Sequence, residues 1–335
     1  MVSALAITNS KPRPALKLVK TNDLSRDEWL DVRKTGIGSS DAAASVGLNP
    51  YQSQLELWME KTGRGAALPQ IDPNDDSTPM FWGSLLESFV AAHYTKKSGN
   101  RVRKINAVLQ HPEHAWMLAN IDREVIGAPD VQILECKTAG MNGAKLWKEG
   151  VPEYVQLQVQ HQLGVTGKHT ADVAVLVCGN EYRSYRIKRD DGLIARLIQL
   201  EAKFWDYVIR DIPPPPDGSE SAAMALQALY PNDNGEVVDF SEDTGMNKLF
   251  SDYWAFRQQR EFAEAQEGLF KQKLQESLGF ASGAVFGDAK ISWRKSKDST
   301  ETDYKKLAAE NPELVARYEI SKPGSRRFLV QVGKS

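Results

Sequence analysis

Apolar side chains recur at helical spacing in the first part of the chain and at strand spacing further on. Over residues 81–98 the spacing is i, i+3, i+4 and i+7, which predicts one long helix. The positions that set this spacing are Leu86, Phe89, Val90 and His93. Beyond residue 101 apolar and polar residues alternate, which predicts strands at 102–109, 117–125, 131–138, 171–178 and 182–188. Shorter helices are predicted at 27–34, 41–46, 55–62, 152–165 and 190–209. The pattern predicts an α+β body.

Four consecutive prolines at residues 213–216 mark a boundary, because such a run cannot continue a helix. We therefore expect four regions: a flexible arm over 1–22, the α+β body over 23–212, a proline-rich linker with a short helix over 213–240, and a C-terminal region over 241–335. In that last region an amphipathic pattern predicts a long helix over 246–278. A small α/β part follows it, with strands at 289–294 and 327–332 around two short helices.

Composition is that of an ordinary globular protein, with 41% hydrophobic and 26% charged residues. Two cysteines, Cys136 and Cys178, make no disulfide framework, so we expect a reducing cytoplasm. No apolar run suggests a secretory signal or a membrane span. The net charge of −2 argues against a simple electrostatic DNA binder. Residues 284–335 are more basic, however, with 11 Lys and Arg against 7 Asp and Glu.

One predicted β-hairpin carries a concentrated set of charged residues. The turn signal at residues 127–130 separates its strands, and folding about residues 128 and 129 would place Asp122 opposite Glu135. Because side chains alternate along a strand, Glu135 and Lys137 share a face while Cys136 points away. Two carboxylates and an ammonium would thus converge on one side of a sheet.

Such a set suits metal-assisted phosphodiester hydrolysis, because closely spaced carboxylates hold Mg²⁺ and a lysine can position the attacking water. The plain alternative is a surface hairpin, since Glu-x-Lys triplets are common. Asp130 is a second candidate acid, but it lies five residues from Glu135, or about 16 Å along a strand. Two ligands of one cation must lie much closer than that, so the spacing favours Asp122.

Five blocks in order resemble the YqaJ-type viral recombinase family, relatives of bacteriophage lambda exonuclease within the PD-(D/E)XK nuclease fold. The blocks are Trp29 and Arg33 with Gly36-Ile37-Gly38-Ser39-Ser40-Asp41, Trp82-Gly83 with Glu87, Ala119-Asn120-Ile121-Asp122, Leu134-Glu135-Cys136-Lys137-Thr138, and Tyr154 with Gln158-Val159-Gln160-His161. The resemblance covers residues 23–216 and implies a mixed central sheet flanked by helices. It departs from lambda exonuclease in a longer hairpin and in the region that follows Pro216.

The resemblance also implies roles for individual residues. Asp122, Glu135 and the backbone carbonyl of Cys136 would bind metal, and Lys137 would act on the nucleophilic water. Glu87 would hold a second metal or its water, unless it is a solvated helical carboxylate. Gln158 would hydrogen-bond in the active centre, although glutamines alternate at 156, 158, 160 and 162 and most must face elsewhere.

Arg33 and Ser40 would receive a DNA 5′-phosphate, because a serine-rich turn that opens a helix presents free N–H groups to an anion and a guanidinium adds bidentate contacts. The plain alternative is that Ser39 or Ser40 is an N-cap. Further candidate DNA contacts are Ser39, Arg294, Lys295, Arg326 and Arg327.

The implied activity is that of a Mg²⁺-dependent 5′-to-3′ exonuclease with two ions per site, for which Mn²⁺ would substitute. It would degrade one strand of linear double-stranded DNA to 5′-mononucleotides and leave a 3′ single strand for phage-type recombination. The resemblance further implies a trimeric ring around DNA, a single-strand annealing partner, and a phage or prophage origin in a bacterial cytoplasm. Two alternatives remain open: an endonuclease with the same hairpin, and a non-catalytic DNA-binding scaffold.

Overall fold

The computed structural model describes residues 15–21, 24–322 and 324–332. The chain divides into two compact units, one up to Pro231 and one from Asn232 onward. Each unit is described by itself.

A mixed five-stranded sheet forms the centre of the first unit, with strand order β2-β5-β6-β7-β8. Strands β6 and β7 run parallel, while the other neighbours run antiparallel. A second sheet has the order β1-β3-β4 and is antiparallel. The strands are β1 (Leu16–Lys20), β2 (Arg101–Arg103), β3 (Ala107–Gln110), β4 (Leu118–Ala119), β5 (Arg123–Ile126), β6 (Ile133–Ala139), β7 (Thr170–Val177) and β8 (Glu181–Lys188). The mixed sheet agrees with the predicted fold class.

Helices cover both faces of the central sheet. They are α1 (Arg26–Lys34), α2 (Ala42–Ser45), α3 (Gln54–Lys61), α4 (Pro79–Ser98), α5 (Met141–Ala144), α6 (Glu153–Thr166), α7 (Asp191–Ile209) and α8 (Glu220–Leu229). Helix α6 connects the parallel strands β6 and β7 and packs Val155, Val159 and Leu163 into the main apolar core. Helix α4 covers the other face through Val90, Ala91 and Tyr94.

Helix α4 begins at Pro79, whose missing N–H costs nothing in a first turn, and ends at Gly99 in a left-handed conformation with φ 76°. Its buried residues are Val90, Ala91 and Tyr94, whereas Phe89 is 64% exposed. The face that meets the sheet is therefore rotated away from Phe89. The helix itself is present over the predicted residues.

Two expectations for the regions outside the body need revision. The arm expected over 1–22 falls partly outside the described residues, but Leu16–Lys20 is strand β1 and pairs with β3. The short helix expected in the linker, α8, packs on α3 within the first unit. There Ser221 hydrogen-bonds Ser53, and Ala225 joins a cluster with Trp58 and Phe204. Local sequence did not reveal either long-range contact.

The second unit is built around α9 (Thr244–Leu278), a helix of 35 residues. The hairpin of β9 (Gly283–Phe286) and β10 (Ala289–Ser292) follows, and then come α10 (Tyr304–Glu310) and α11 (Pro312–Ala316). The strand expected at 327–332 is wrong, because those residues take no regular secondary structure. None of the helices within the described ranges combines the length and apolar character that a bilayer crossing requires.

Candidate active site

The hairpin of β5 and β6 brings Asp122 against Glu135. Arg123 pairs with Leu134 and Glu124 with Ile133, and the same register continued by one residue sets Asp122 opposite Glu135. This register agrees with a turn centred on residues 128 and 129. The main-chain N–H of Cys136 donates a hydrogen bond of 2.8 Å to Oδ2 of Asp122, which fixes that carboxylate at the start of β5.

Strand β6 presents Glu135 and Lys137 on the face that α6 covers. Nζ of Lys137 lies 2.6 Å from Oε1 of Glu135, and the glutamate is 2% exposed. Cys136 points to the opposite face, into the cluster beneath α4. Burial, together with the negative charges of Asp122 and Glu135, raises the pKa of the Cys136 thiol. The thiol therefore stays protonated and is excluded as a nucleophile.

Two glutamines of α6 hold the two oxygens of Glu135. Nε2 of Gln158 donates to Oε1 at 2.6 Å, and Nε2 of Gln162 donates to Oε2 at 2.8 Å. Lys137 in turn donates to Oε1 of Gln158 at 2.9 Å. Gln162 was not predicted as a site residue. The signal was its i+4 spacing from Gln158, which puts both amides on one helix face.

The other glutamines of the run have different partners. Gln160 donates to the carbonyl of Lys188 and accepts from the N–H of Asp190, so it ties α6 to the start of α7. Gln156 donates to the carbonyl of Val151. The alternation seen in the sequence is thus resolved by the helical period, because only the residues at 158 and 162 face the hairpin.

Glu87 reaches the same groove from α4. Its Oε1 accepts a hydrogen bond of 2.5 Å from Nη1 of Arg123, a contact that sequence reasoning missed. Arg123 also donates to the carbonyl of Asp122 at 2.6 Å. Glu87 is therefore held by an ion pair, and its negative charge acts on Asp122.

The electrostatics of the hairpin are those of a crowded acid pair. Burial, together with the charge of Glu135, raises the pKa of Asp122 to about 8. Burial lowers the pKa of Lys137, but the carboxylates of Glu135 and Asp122 raise it by more, so the ammonium keeps its proton. A divalent cation would relieve the repulsion between the two acids.

The donor set fits a hard cation. Within the described residues no three His, Cys, Asp or Glu side chains form a group that could hold a metal by themselves. The hairpin offers the carboxylates of Asp122 and Glu135 with the main-chain carbonyl of Cys136, all of them oxygen donors. Mg²⁺ is commonly bound by one or two carboxylates and keeps several waters, so this small set is suitable.

A tight 3₁₀ turn at Ser39–Asp41 contributes a second wall of the groove through Ser39 and Ser40. Nη2 of Arg33 donates to Oγ of Ser40 at 3.0 Å. Ser39 is 4% exposed and donates to the carbonyl of Asn120, so it faces inward, whereas Ser40 is exposed. The serine on the solvent side is thus the one beside Arg33.

A single groove of about 480 Å³ joins the two walls. The residues that line it include Arg33, Ser39, Ser40, Glu87, Asp122, Glu135, Lys137 and Gln158. A second, apolar groove bounded by Leu18, Trp116 and Trp205 has no ionisable side chain. The polar groove therefore holds all the candidate catalytic residues.

Asp130 has a different place. It lies in the turn of the hairpin and forms an ion pair with Arg186, which also pairs with Asp172. Arg186 is on β8, the strand at the far edge of the sheet from β2. Asp130 does not line the polar groove.

The basic residues singled out in the C-terminal region lie in the second unit. Arg294, Lys295, Arg326 and Arg327 are exposed, and Lys295 forms a surface ion pair with Asp298. They belong to a unit separate from the groove.

Comparison with known proteins identifies the family. The YqaJ-like viral recombinase domain matches residues 28–169. The YqaJ protein of Bacillus subtilis (strain 168) is 35% identical in an alignment of 321 residues that covers 94% of this chain and 97% of that protein. Among solved structures, the alkaline exonuclease LHK-Exo from Laribacter hongkongensis is 23% identical, with a TM-score of 0.44 over 55% of this chain and 93% of that one. A phage related exonuclease from Haemophilus somnus 129PT is 12% identical, with a TM-score of 0.35 over 52% of this chain and 96% of that one. The chain belongs to the YqaJ-like viral recombinase family.

Proposed function

We propose that this protein is a Mg²⁺-dependent exonuclease that degrades one strand of linear double-stranded DNA from its 5′ end. The observation that carries the proposal is the convergence of Asp122, Glu135 and Lys137 on one face of a hairpin. Their side chains line the same groove as Arg33 and Ser40. Acids beside an ammonium suit phosphodiester hydrolysis, and a guanidinium beside a hydroxyl suits a terminal phosphate.

Asp122, Glu135 and the carbonyl of Cys136 would hold the cation. When bound, a divalent cation supplies charge that stabilises the attacking and leaving oxygens of the displacement. The carboxylate of Asp122 is oriented by the N–H of Cys136, and that of Glu135 by two glutamine amides. The ligands are therefore oriented before a cation arrives, which reduces the reorganisation that binding requires.

Lys137 is suited to orient the attacking water. Its ammonium lies 2.6 Å from Glu135 and 2.9 Å from Gln158, and its side chain is 25% exposed to the groove. Because its pKa is raised, Lys137 acts as a hydrogen-bond donor and a positive charge. Glu87, paired with Arg123, is the candidate for holding a second ion or its water.

Arg33 and Ser40 would bind the 5′-phosphate at the end of the substrate. We call these two residues the phosphate seat. A binding site for a terminal phosphate next to the cleavage centre explains why such an enzyme would act at DNA ends. We further propose, on the family resemblance, that the products are 5′-mononucleotides and a 3′ single strand, that the protein forms a ring-shaped trimer, and that a single-strand annealing protein is its partner in phage-type recombination in the host cytoplasm.

The experiment that tests the proposal compares end-labelled linear duplex with covalently closed circular duplex, each with Mg²⁺ and with EDTA. The expected result is Mg²⁺-dependent release of 5′-mononucleotides from the linear DNA and none from the circle. Cleavage of the circle would assign an endonuclease instead. Absence of hydrolysis under all conditions, with DNA binding retained, would leave a non-catalytic DNA-binding protein.

A further inference from the structure

The last residue of the serine turn, Asp41, carries a buried carboxylate. Its Oδ1 is 2.5 Å from Nη2 of Arg33, and its Oδ2 is 2.6 Å from Nζ of Lys61. The main-chain N–H of Gly38 donates to Oδ2 at 3.0 Å. Asp41 is 3% exposed and Lys61 is 8% exposed. Every partner of this carboxylate is thus a donor, and two of them are cations.

The pairing keeps Asp41 ionised. Burial alone would raise the pKa of Asp41, but the charges of Arg33 and Lys61 lower it well below its usual range. Burial and the charge of Asp41 raise the pKa of Glu60, while the charges of Lys61 and Arg33 act in the opposite direction. In the described part of the chain Glu60 forms no ion pair with either cation. Asp41 is therefore the one carboxylate in the described ranges that forms an ion pair with both cations.

Lys61 also fixes the backbone that carries Arg33. Its Nζ donates to the main-chain carbonyl of Arg33 at 2.9 Å, close to the C-terminal end of α1. The lysine, on α3, thereby joins α1 to the serine turn. The exposed fraction of its side chain is only 3%, so this ammonium does not reach the groove itself.

One guanidinium nitrogen of Arg33, Nη2, is held by neighbouring side chains, and the other two nitrogens are available to a ligand. Nη2 is engaged by Asp41 and Ser40, and the guanidinium lies 4.9 Å from the centre of the Trp29 ring. Among the hydrogen bonds of the described residues none uses Nη1 or Nε of Arg33. The side chain is 28% exposed and lines the polar groove. A fixed guanidinium with unused donors suits an incoming phosphate.

We propose that Asp41 and Lys61 are positioning residues for the terminal-phosphate seat: Asp41 anchors the guanidinium of Arg33, and Lys61 shares the charge of Asp41 so that Arg33 keeps its attraction for phosphate. This inference rests on the proposed function of Arg33. With Lys61 absent, Asp41 and Arg33 would form a neutral pair, and the phosphate would compete with a carboxylate for the same guanidinium. With Asp41 absent, Arg33 would lose its fixed orientation and would be ordered only when DNA binds.

The test measures the preference for a 5′-phosphate over a 5′-hydroxyl end. Short duplexes with each end are bound in Ca²⁺ for dissociation constants, and are then digested in Mg²⁺ for kcat and KM. The variants are Lys61→Met, which removes the charge and retains a long side chain, and Asp41→Asn, which retains the shape. Arg33→Ala reports on the phosphate seat itself. Lys34→Met is the matched control, because Lys34 is an exposed lysine of α1 that pairs with Asp31 on the surface.

Lys61→Met and Asp41→Asn are each expected to reduce the phosphate preference by about tenfold, the value of one charge-assisted hydrogen bond. The loss should appear in the dissociation constant and KM of phosphorylated ends more than in kcat. Lys34→Met should retain the preference of the wild type. A purely structural role would instead weaken both kinds of end equally and lower the melting temperature, and that result overturns the inference.

The two levels of the proposal fail differently. If Arg33→Ala abolishes the preference while Lys61→Met and Asp41→Asn retain it, the positioning role is wrong and the phosphate seat stands. If the wild type shows no preference, or Arg33→Ala retains one, the seat itself is wrong and its positioning residues are wrong with it. Should Lys61→Met not fold, the outcome for Asp41→Asn decides.

Discussion

The carboxylate of Asp122 accepts a hydrogen bond of 2.8 Å from the main-chain N–H of Cys136, one residue beyond Glu135 on the neighbouring strand. This contact makes Asp122→Asn an informative substitution, because the amide can still accept that hydrogen bond but carries no charge. We expect Mg²⁺-dependent release of labelled nucleotides to fall by about 10²–10³-fold, since metal catalysis supplies several kcal/mol. The circular dichroism spectrum should be unchanged.

Asp130→Asn is the control for that substitution. Asp130 is exposed, pairs with Arg186 and does not line the groove. Exposed ion pairs contribute little to stability, so the variant should keep both its fold and its activity. Loss of activity in Asp130→Asn with retention in Asp122→Asn would mean that the wrong aspartate has been assigned to the cation.

Binding of a divalent cation should stabilise the protein against heat. Asp122 and Glu135 repel each other in a buried site, and a ligand that binds only the folded state adds about 2.7 kcal/mol at 100 times its dissociation constant. We expect the melting temperature of the wild type to rise when Mg²⁺ replaces EDTA, and the melting temperature of Glu135→Gln to change much less. Equal increases in both proteins would place the ion elsewhere.

The hairpin could be predicted from the sequence because its signals are local. Residues of period two flank a turn of Gly127, Pro129 and Asp130, and register then follows from the position of the turn. The same argument sets Cys136 on the face opposite Glu135, where the structure has it. Strand period and turn chemistry depend only on neighbouring residues.

The rest of the site depends on which elements pack together, and that information is not local. Gln162, Arg123 and Lys61 reach the groove or its support only because α6, α4 and α3 cover particular strands and turns. Strand β1 was missed for the same reason, since it exists through pairing with β3, about 90 residues away. Each of these residues also had an ordinary alternative as a solvated polar side chain.

Gln162→Leu should weaken metal binding while the ligands themselves remain intact. Gln162 is buried and donates to Oε2 of Glu135 at 2.8 Å, so its loss frees one carboxylate oxygen to rotate. Residues that orient metal ligands typically contribute about 10–100-fold in metal affinity or activity. We expect the Mg²⁺ concentration for half-maximal activity to rise by that factor, with a smaller change at saturating Mg²⁺.

Gln156→Leu is the matched control on the same helix, because Gln156 is exposed and its side chain donates to the carbonyl of Val151 rather than to a residue of the groove. Its Mg²⁺ dependence should match that of the wild type. Gln162→Leu could instead lose activity even at saturating Mg²⁺ while it reaches half-maximal activity at the same Mg²⁺ concentration as the wild type. That result would contradict the orienting role of this glutamine.

A buried histidine behind the site predicts a specific dependence of stability on pH. Nδ1 of His161 lies 2.7 Å from Glu201, and Nε2 lies 2.8 Å from the carbonyl of Leu118. The carbonyl of Leu118 can only accept, and Glu201 accepts as the carboxylate, so this arrangement suits an imidazolium with a proton on each ring nitrogen. Burial lowers the pKa of His161, but the charge and hydrogen bonds of Glu201 and Leu118 raise it by more.

Because the folded pKa of His161 is raised, its contribution to stability is complete below the unfolded pKa of about 6.5 and is lost as pH rises through the folded pKa. Urea unfolding of the wild type and of His161→Gln from pH 5.5 to 9 measures that contribution as a difference. The difference should be largest at the acidic end and should decrease towards the alkaline end. A difference that grows with pH would mean that His161 is buried as the neutral form.

Gly36 lies between α1 and the serine turn and packs against the segment that leads to Asp122. The space beside its Cα is too small for a side chain. A Cβ at this position would lie 2.4 Å from the carbonyl oxygen of Trp116 and 2.8 Å from Cγ of Leu118. Two main-chain hydrogen bonds hold the segments together: the N–H of Ile37 donates to the carbonyl of Trp116 at 2.7 Å, and the N–H of Leu118 donates to the carbonyl of Ile37 at 2.9 Å. Neither segment can therefore move away freely. Gly36→Ala should therefore lower the free energy of unfolding by about 1–3 kcal/mol, as overpacking does.

Gly143→Ala separates this steric effect from the general effect of adding a methyl group. Residue 143 is in helix α5, and a Cβ there would meet Cβ of Ala139, the last residue of β6, at an ordinary contact distance of 3.8 Å. Alanine is favoured over glycine in helices by about 0.5–1 kcal/mol, so this variant should be as stable as the wild type or more so. Urea unfolding of both variants measures the contrast, and equal stability would show that the segment at Gly36 can move away from Trp116. Since the same segment carries Ser39 and Ser40, any such movement would also shift the proposed phosphate seat relative to Asp122.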